Sequence, residues 1–235
     1  AVTLVDTVFS STPYTGNVNA GTAWSAGINS YGQLGVGSTV TKSSFVQITG
    51  AAGTWKQVSA VRHSGMIGVD GTLWMFGYNN QGQLGDGTTV NKSSPVQTVA
   101  GGNNWKQVAC SAGGIESTLA VKTDGSLWIW GYSRLNPIGT VSVPTLVTSG
   151  GWSSVSTGPT HAGGVKTDGT LWMWGANSPG GPLGDGTQTG RSSPVQVITG
   201  GTNWSQLSCG YYNTAAIKTD GTLWTWGRNI NGQLG

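Results

Sequence analysis

The side chains best suited to proton transfer or nucleophilic attack near neutral pH are two histidines, His63 and His161, and two cysteines, Cys110 and Cys209. Each histidine stands eight residues before a glycine of an Asp-Gly pair, and Ser117 and Asn213 hold the same place in two further copies of that segment. A place filled by His, Ser, His and Asn reads as a polar residue bonding a turn, not as a general base. The cysteines each lie five residues after a tryptophan, at equivalent places with Thr157 between them. Equivalent places two repeats apart are expected to exceed the roughly 7 Å Cα separation that a disulfide tolerates, so both are expected to be free, buried thiols. Glu116 is the single glutamate, in a short insertion (Gly113 to Glu116) peculiar to its repeat, and reads as a solvated loop tip.

Six of the seven aspartates also recur: Asp70, Asp124, Asp168 and Asp220 in Asp-Gly pairs, Asp86 and Asp185 in Leu-Gly-Asp-Gly. Aspartate suits such places because its carboxylate bonds nearby backbone N–H groups. The Asp-x-(Asp/Asn)-x-(Asp/Asn)-Gly calcium loop is absent, as are a Gly-x-Ser-x-Gly elbow, a phosphate-binding Gly-Lys-(Ser/Thr) loop and a Cys-x-x-Cys pair. No catalytic residue, metal or cofactor is expected.

What recurs instead is a building block. Lys-Thr-Asp-Gly-(Ser/Thr)-Leu-Trp runs from Lys122 to Trp128, from Lys166 to Trp172 and from Lys218 to Trp224, with a looser copy from Gly68 to Trp74. Apolar residues alternate on both sides of Asp-Gly, the strongest short hairpin pattern, because a type I′ turn needs positive φ at both central positions. A second tryptophan opens a strand at Trp55, Trp105, Trp152 and Trp204, at intervals of 50, 47 and 52 residues. Gly-Gln-Leu-Gly follows at Gly32, Gly82 and Gly232, and Ser-Ser-Pro-Val-Gln at Ser93 and Ser192. Four short strands per repeat of about 50 residues is the arithmetic of a β-propeller. The 12 tryptophans, fixed to strand positions, are expected to pack blade against blade.

Composition agrees. Of 235 residues 41 are glycine, and only 8% are charged, against roughly 25% in an average soluble protein. No stretch carries the 3.6-residue period of a helix. The net charge of +3 is spread singly, with no patch to track a phosphate backbone, so no nucleic acid is expected. No apolar run approaches the roughly 20 residues of a membrane helix, so no membrane insertion is expected.

These motifs together (Trp-x-x-Val, then Val-Lys-x-Asp-Gly-x-Leu-Trp-x-Trp-Gly, then Gly-Gln-Leu-Gly, then Pro-Val) resemble the regulator of chromosome condensation repeat, in a wording similar to bacterial and phage versions. The resemblance covers residues 21–235 and implies four-stranded antiparallel blades around a central channel, seven in a closed ring. Repeat boundaries fall near 50, 100, 150 and 200. Residues 1–20 form a divergent N-terminal segment, with Thr3 to Phe9 as a strand of the first blade. Five copies are present. A seven-bladed ring needs roughly 100 more residues at this period, so the chain is expected to be part of a longer protein, with a smaller closed ring as the alternative.

Loops that differ between repeats are the candidate contact surface, because variable loops on a rigid scaffold suit recognition. After the Trp-Gly strand they offer Tyr31, Tyr78, Tyr132, Arg134, Asn177 and Arg228; after the Trp-x-x-Val strand, Arg62, Glu116, Tyr211 and Tyr212. Each series is expected to form a ring of its own. The expected function is non-enzymatic: a structural or recognition module of an extracellular, cell-surface or virion assembly, such as a tail fibre or adhesin, binding protein or glycan. The alternative is an inhibitor or regulator that caps a partner protein with one propeller face. Nucleotide exchange on a small GTPase, which the family resemblance also implies, needs a basic tail and face loops not visible here.

Overall fold

Every regular element in the computed structural model, which describes residues 7–10, 22–50, 54–111, 113, 116–132 and 139–235, is a β-strand. The strands make five sheets in chain order. The first holds β1 (Thr7–Ser10), β2 (Trp24–Gly27) and β3 (Lys42–Gln47); the second β4 (Trp55–Ala60), β5 (His63–Gly68), β6 (Leu73–Gly77) and β7 (Lys92–Gln97). The third holds β8 (Trp105–Cys110), β9 (Ser117–Lys122), β10 (Leu127–Gly131) and β11 (Val141–Thr148); the fourth β12 (Trp152–Thr157), β13 (His161–Lys166), β14 (Leu171–Gly175) and β15 (Arg191–Gln196). The fifth holds β16 (Trp204–Cys209), β17 (Asn213–Lys218) and β18 (Leu223–Gly227). Each is an antiparallel meander, one blade per tryptophan repeat, and the first strands of neighbouring blades touch. Of the N-terminal strand expected at Thr3 to Phe9, residues 3–6 lie outside the described residues, and β1 pairs with β2 from Thr7↔Gly27 to Ser10↔Trp24.

The core lies between blades, not within them. Along the hairpin β9–β10, Leu119, Val121, Leu127 and Ile129 pack on Trp152, Val155 and Ala162 of the following blade. The intervening residues Ala120 and Trp130 pack on Ile67, Leu73 and Met75 of the preceding one. A period of two thus gives each blade two apolar faces, one per neighbour. Trp105 and Trp130 meet edge to face with ring centres 6.0 Å apart, and the Trp130 indole N–H donates to Gln83 O at 2.8 Å.

Nearly every residue of Lys-Thr-Asp-Gly-Ser-Leu-Trp has a task, most of them within the blade and two of them, at Gly125 and Leu127, toward the next one. Lys122 Nζ sits 4.6 Å from the Trp105 ring centre and 4.7 Å from that of Trp128, a double cation–π contact. Thr123 N donates to Asn104 O. Asp124 Oδ1 accepts from Ser126 N and Oγ, and Ser126 Oγ accepts from the Trp128 indole. Gly125 turns the chain and its carbonyl accepts from Trp152 N of the following blade, as Gly71 does from Trp105 and Gly169 from Trp204. Leu127 is buried.

The glutamine of Trp-Lys-Gln-Val is a second inter-blade stitch. The Gln57 side-chain amide donates to Val108 O and accepts from Val108 N, both at 2.8 Å, imitating one strand residue across the gap. Gln107 does the same with Val155. Gln57→Ala would leave both Val108 groups without a partner, so about 2–3 kcal/mol of stability should be lost in urea unfolding, whereas Gln206→Ala, at an exposed equivalent place, should cost less than about 0.5 kcal/mol.

Candidate recognition face

The two loop series lie at one end of the blades, and backbone bonds join them. In the second blade Tyr78 N donates to Arg62 O; in the third Tyr132 N to Glu116 O; in the fourth Ala176 N to Thr160 O; in the fifth Arg228 N to Tyr212 O. The opposite end carries the Asp-Gly turns. The expectation of two separate rings is therefore corrected: in a four-stranded meander the first and third connections leave the same end of the sheet, so the series interleave.

Across the first three blades they build one cluster. Tyr31 and Tyr78 meet edge to face, ring centres 4.8 Å apart. The Arg62 guanidinium carbon lies 5.7 Å from the Tyr31 ring centre and 5.8 Å from that of Tyr78. Its Nη1 donates to Glu116 Oε1 of the third blade at 3.0 Å. That bond comes first among the causes that raise the Arg62 pKa above its ordinary value. Glu116 is not the solvated tip expected: its side chain is 14% exposed, whereas Arg62 remains 45% exposed. A second cluster stands at the same end of the fifth blade. Tyr211 and Tyr212 meet with ring centres 4.4 Å apart, and the Arg228 guanidinium carbon lies 5.4 Å from the Tyr212 ring. Tyr211 is half exposed.

The remaining candidates divide. Tyr132 is partly buried, and Arg134 lies outside the described residues. Asn177 is no contact residue: it is 1% exposed. Its amide donates to Asp185 Oδ1 and to the Thr187 and Thr189 carbonyls, and its Oδ1 accepts from Leu183 N. Asn29 and Asn79 clamp their loops in the same way, and Asn229 Oδ1 accepts from Leu234 N. Burial works against the Asp185 carboxylate, but bonds from Thr187, Arg191 and Asn177 outweigh it and hold the pKa at about 2.

The histidines are inter-blade struts. His63 Nε2 lies 2.8 Å from Thr118 Oγ1 of the next blade, and that hydroxyl gives its own proton to Gln83 O. The oxygen can then only accept, which places the histidine proton on Nε2 and leaves Nδ1 a buried lone pair without a partner. His161 repeats this with Thr214, whose hydroxyl donates to Pro182 O; its Nδ1 stands 3.2 Å from Thr160 Oγ1. The expected turn bond is thus a bond between blades. Desolvation lowers the pKa to about 3 for His63 and about 4 for His161. Cys110 and Cys209 are free, and burial raises both thiols to about 12. Among the described residues no three His, Cys, Asp or Glu side chains gather to hold a metal.

Models of the regulator of chromosome condensation repeat match residues 70–114, 168–217 and 204–233. These stretches, somewhat less than half of the chain, are similar to that repeat. The ultraviolet-B receptor UVR8 of Arabidopsis thaliana is 32% identical over 133 residues, covering 53% of this chain and 30% of the receptor. The crystal structure of human WBSCR16 superposes with a TM-score of 0.78 at 29% identity, over 91% of this chain and 58% of that one. Prp20p of Saccharomyces cerevisiae, studied for its binding to Gsp1p and histones, superposes with a TM-score of 0.72 at 15% identity, over 91% of this chain and 56% of that one. At that identity Prp20p speaks for the fold alone, a β-propeller of antiparallel blades. The chain spans somewhat more than half the length of these structures and less than a third of the plant receptor.

Proposed function

We propose that this chain is a non-enzymatic recognition propeller, a regulator that caps a partner protein with the end bearing Tyr31, Arg62, Tyr78, Tyr211, Tyr212 and Arg228. The observation that carries this reading is the Tyr31–Arg62–Tyr78–Glu116 cluster, assembled from three blades. Tyrosine and arginine are the residues that most often anchor protein interfaces, and here the arginine is already fixed between two rings and a carboxylate, so little order has to be gained on binding. An ion pair between aromatic rings favours protein over glycan as the partner. The reading of an extracellular or virion assembly rests on composition alone, whereas capping has a built surface behind it; that Prp20p is a protein binder of the same fold adds support.

The test is capture from the source-cell extract on immobilised chain, with the triple variant Tyr31→Ala/Arg62→Ala/Tyr78→Ala beside it. A partner retained by the native chain should bind the variant at least about 100-fold more weakly, since anchor residues commonly contribute 2 kcal/mol or more each. The variant should melt within about 4 °C of the native chain. Equal retention by both would refute the reading.

A further inference from the structure

The third blade is shorter than its neighbours at two places, and both open on the groove between it and the fourth. Strand pairing fixes the count. Lys42 pairs with Gly27 and Lys92 with Gly77, fifteen residues apart, whereas Val141 pairs with Gly131, only ten residues on. In the longer connections the added residues reach over the next blade: Gly37 N donates to Ser93 O at 2.8 Å and Gly87 N to Ser142 O at 3.0 Å. No described backbone N–H takes that place over Ser192 of the fourth blade. A Cβ on Gly85 would stand 2.8 Å from Trp130 Nε1, and one on Gly184 2.8 Å from Trp226 Nε1. One on Gly139 meets no described atom within 4 Å, so this glycine does not lie against Trp174. The turn into the next blade is short as well. Trp105 follows Gln97, and Trp204 follows Gln196, by eight residues; Trp152 follows Leu146, at the same place, by six. The longer turns give the tryptophan a carbonyl: Trp105 Nε1 donates to Gly101 O and Trp204 Nε1 to Gly200 O, both at 3.0 Å. Trp152 Nε1 is buried and has no partner. Beside it lies a cavity of about 320 Å³, with Val147 and Thr148 of the third blade on one side and Trp152, Trp172 and Trp174 of the fourth on the other.

We propose that this cavity binds a single sugar ring carrying a carboxylate, a hexuronic acid. A concave site with apolar walls and a few convergent polar groups is the usual form of a small-molecule site. Its walls are indoles, whose electron-rich faces attract the C–H groups of a sugar ring. Its polar groups select the charge. No carboxylate lines it, so a cationic occupant finds no counter-ion. Lys166 does line it and forms no salt bridge among the described residues. Its Nζ leans to one ring, 4.2 Å from the Trp172 centre and 5.4 Å from that of Trp152, where Lys122 and Lys218 stand evenly between two. The ammonium and the Trp152 N–H are both donors, which carboxylate oxygens accept. The ligand's carboxylate thus takes the place of the carbonyl that Gly101 and Gly200 provide in the longer turns. Thr148, Ser192 and Ser193 also line the cavity, and their hydroxyls, which both give and accept protons, match those of the ring. The site lies between outer strands, apart from the loops bearing Arg62 and Tyr78, and does not depend on the capping role.

The experiment titrates the isotope-labelled 235-residue chain with sodium D-glucuronate, read at the indole N–H resonances, that of Trp152 being assigned through Trp152→Phe. A saturable shift of the Trp152 resonance is expected, with a Kd of about 1–10 mM, as suits a ligand of this size. D-Glucose, which lacks the carboxylate, and benzoate, which lacks the hydroxyls, should each bind at least about tenfold more weakly. Replacing Ser149-Gly150-Gly151 by the longer turn Thr199-Gly200-Gly201-Thr202-Asn203 should return a carbonyl to the indole and abolish binding. Ser193→Leu, an exposed change at the cavity mouth, should weaken binding at least about tenfold with the fold unaltered. No saturation by about 100 mM glucuronate, or a shift confined to other indoles, would overturn the proposal. Equal binding of glucose or of benzoate would overturn the ligand class, and undiminished binding by Ser193→Leu would overturn the location.

Discussion

Gly71→Ala should lower stability by about 2–4 kcal/mol, while Gly221→Ala, the same change in the fifth blade, should cost about 1 kcal/mol. Both glycines have φ of +83°, so the conformational strain of an L-residue, of order 1 kcal/mol, is common to the pair. They differ in surroundings. A Cβ on Gly71 would stand 1.9 Å from Asn103 O, in the segment that enters the next blade, whereas one on Gly221 meets nothing within 4 Å. Backbone cannot swing aside as a side chain can, so the blades must part locally, an overpacking cost of about 1–3 kcal/mol added to the strain. The tip of the hairpin is thus a wedge between blades as well as a turn. For a domain of this size the melting temperature should fall by roughly 6–12 °C for Gly71→Ala and by about 3 °C for Gly221→Ala. Equal shifts would show that turn strain alone governs these positions.

Acid should unfold the chain through its two histidines. In the folded state burial holds His63 at about 3 and His161 at about 4, against 6.5 when solvated. The unfolded state binds more protons throughout the interval, so stability rises with pH there. The contribution is fully present above pH 6.5 and is lost as pH falls from 6.5 toward 4. Each pH unit within that window is worth about 1.4 kcal/mol per histidine, so relative to pH 8 the loss is about 4 kcal/mol for the pair at pH 5 and about 6 kcal/mol at pH 4. The carboxylates enter only at the acid end of this window. Asp70, Asp86, Asp124, Asp168, Asp185 and Asp220 are lowered from 3.8, so their contribution is present above that value and starts to be lost as pH falls below about 5. The double variant His63→Asn/His161→Asn takes the residue that the fifth blade already carries at this place, Asn213, and should flatten the pH dependence of the melting temperature between 6.5 and 5. An unchanged slope in that variant would remove the histidines from the account.

The fold is legible in the sequence where a local pattern dictates a local shape. Alternating apolar residues around Asp124-Gly125 can make little but a hairpin, and the tryptophan intervals then set the spacing of the blades. Contacts that depend on a neighbour some 50 residues away are not legible in this way. His63 looks like a residue bonding its own turn until Thr118 of the next blade is in place. Gln57 is visible as part of Trp-Lys-Gln-Val, but nothing in that string says that its amide reaches Val108. Asn177 lies in a loop that varies between repeats, but asparagine recurs at the same place as Asn29, Asn79 and Asn229, and recurrence within one chain marks a structural task. Arg62 and Glu116 show the converse. They occupy equivalent places in adjacent repeats but carry opposite charges, and the later copies have Thr160 and Tyr212 there, so their ion pair has no counterpart in the repeat and appears only when the blades are stacked.

The central claim is that the tryptophan hairpins join blades and that recognition belongs to the opposite end. Hydrogen exchange of the chain with and without its captured partner tests this most directly. Protection should appear in residues 28–32, 61–63, 78–81, 210–212 and 228–231, with the Asp-Gly turns at 69–72, 123–126, 167–170 and 219–222 unchanged. Protection at those turns, with the tyrosine loops exchanging as before, would contradict it.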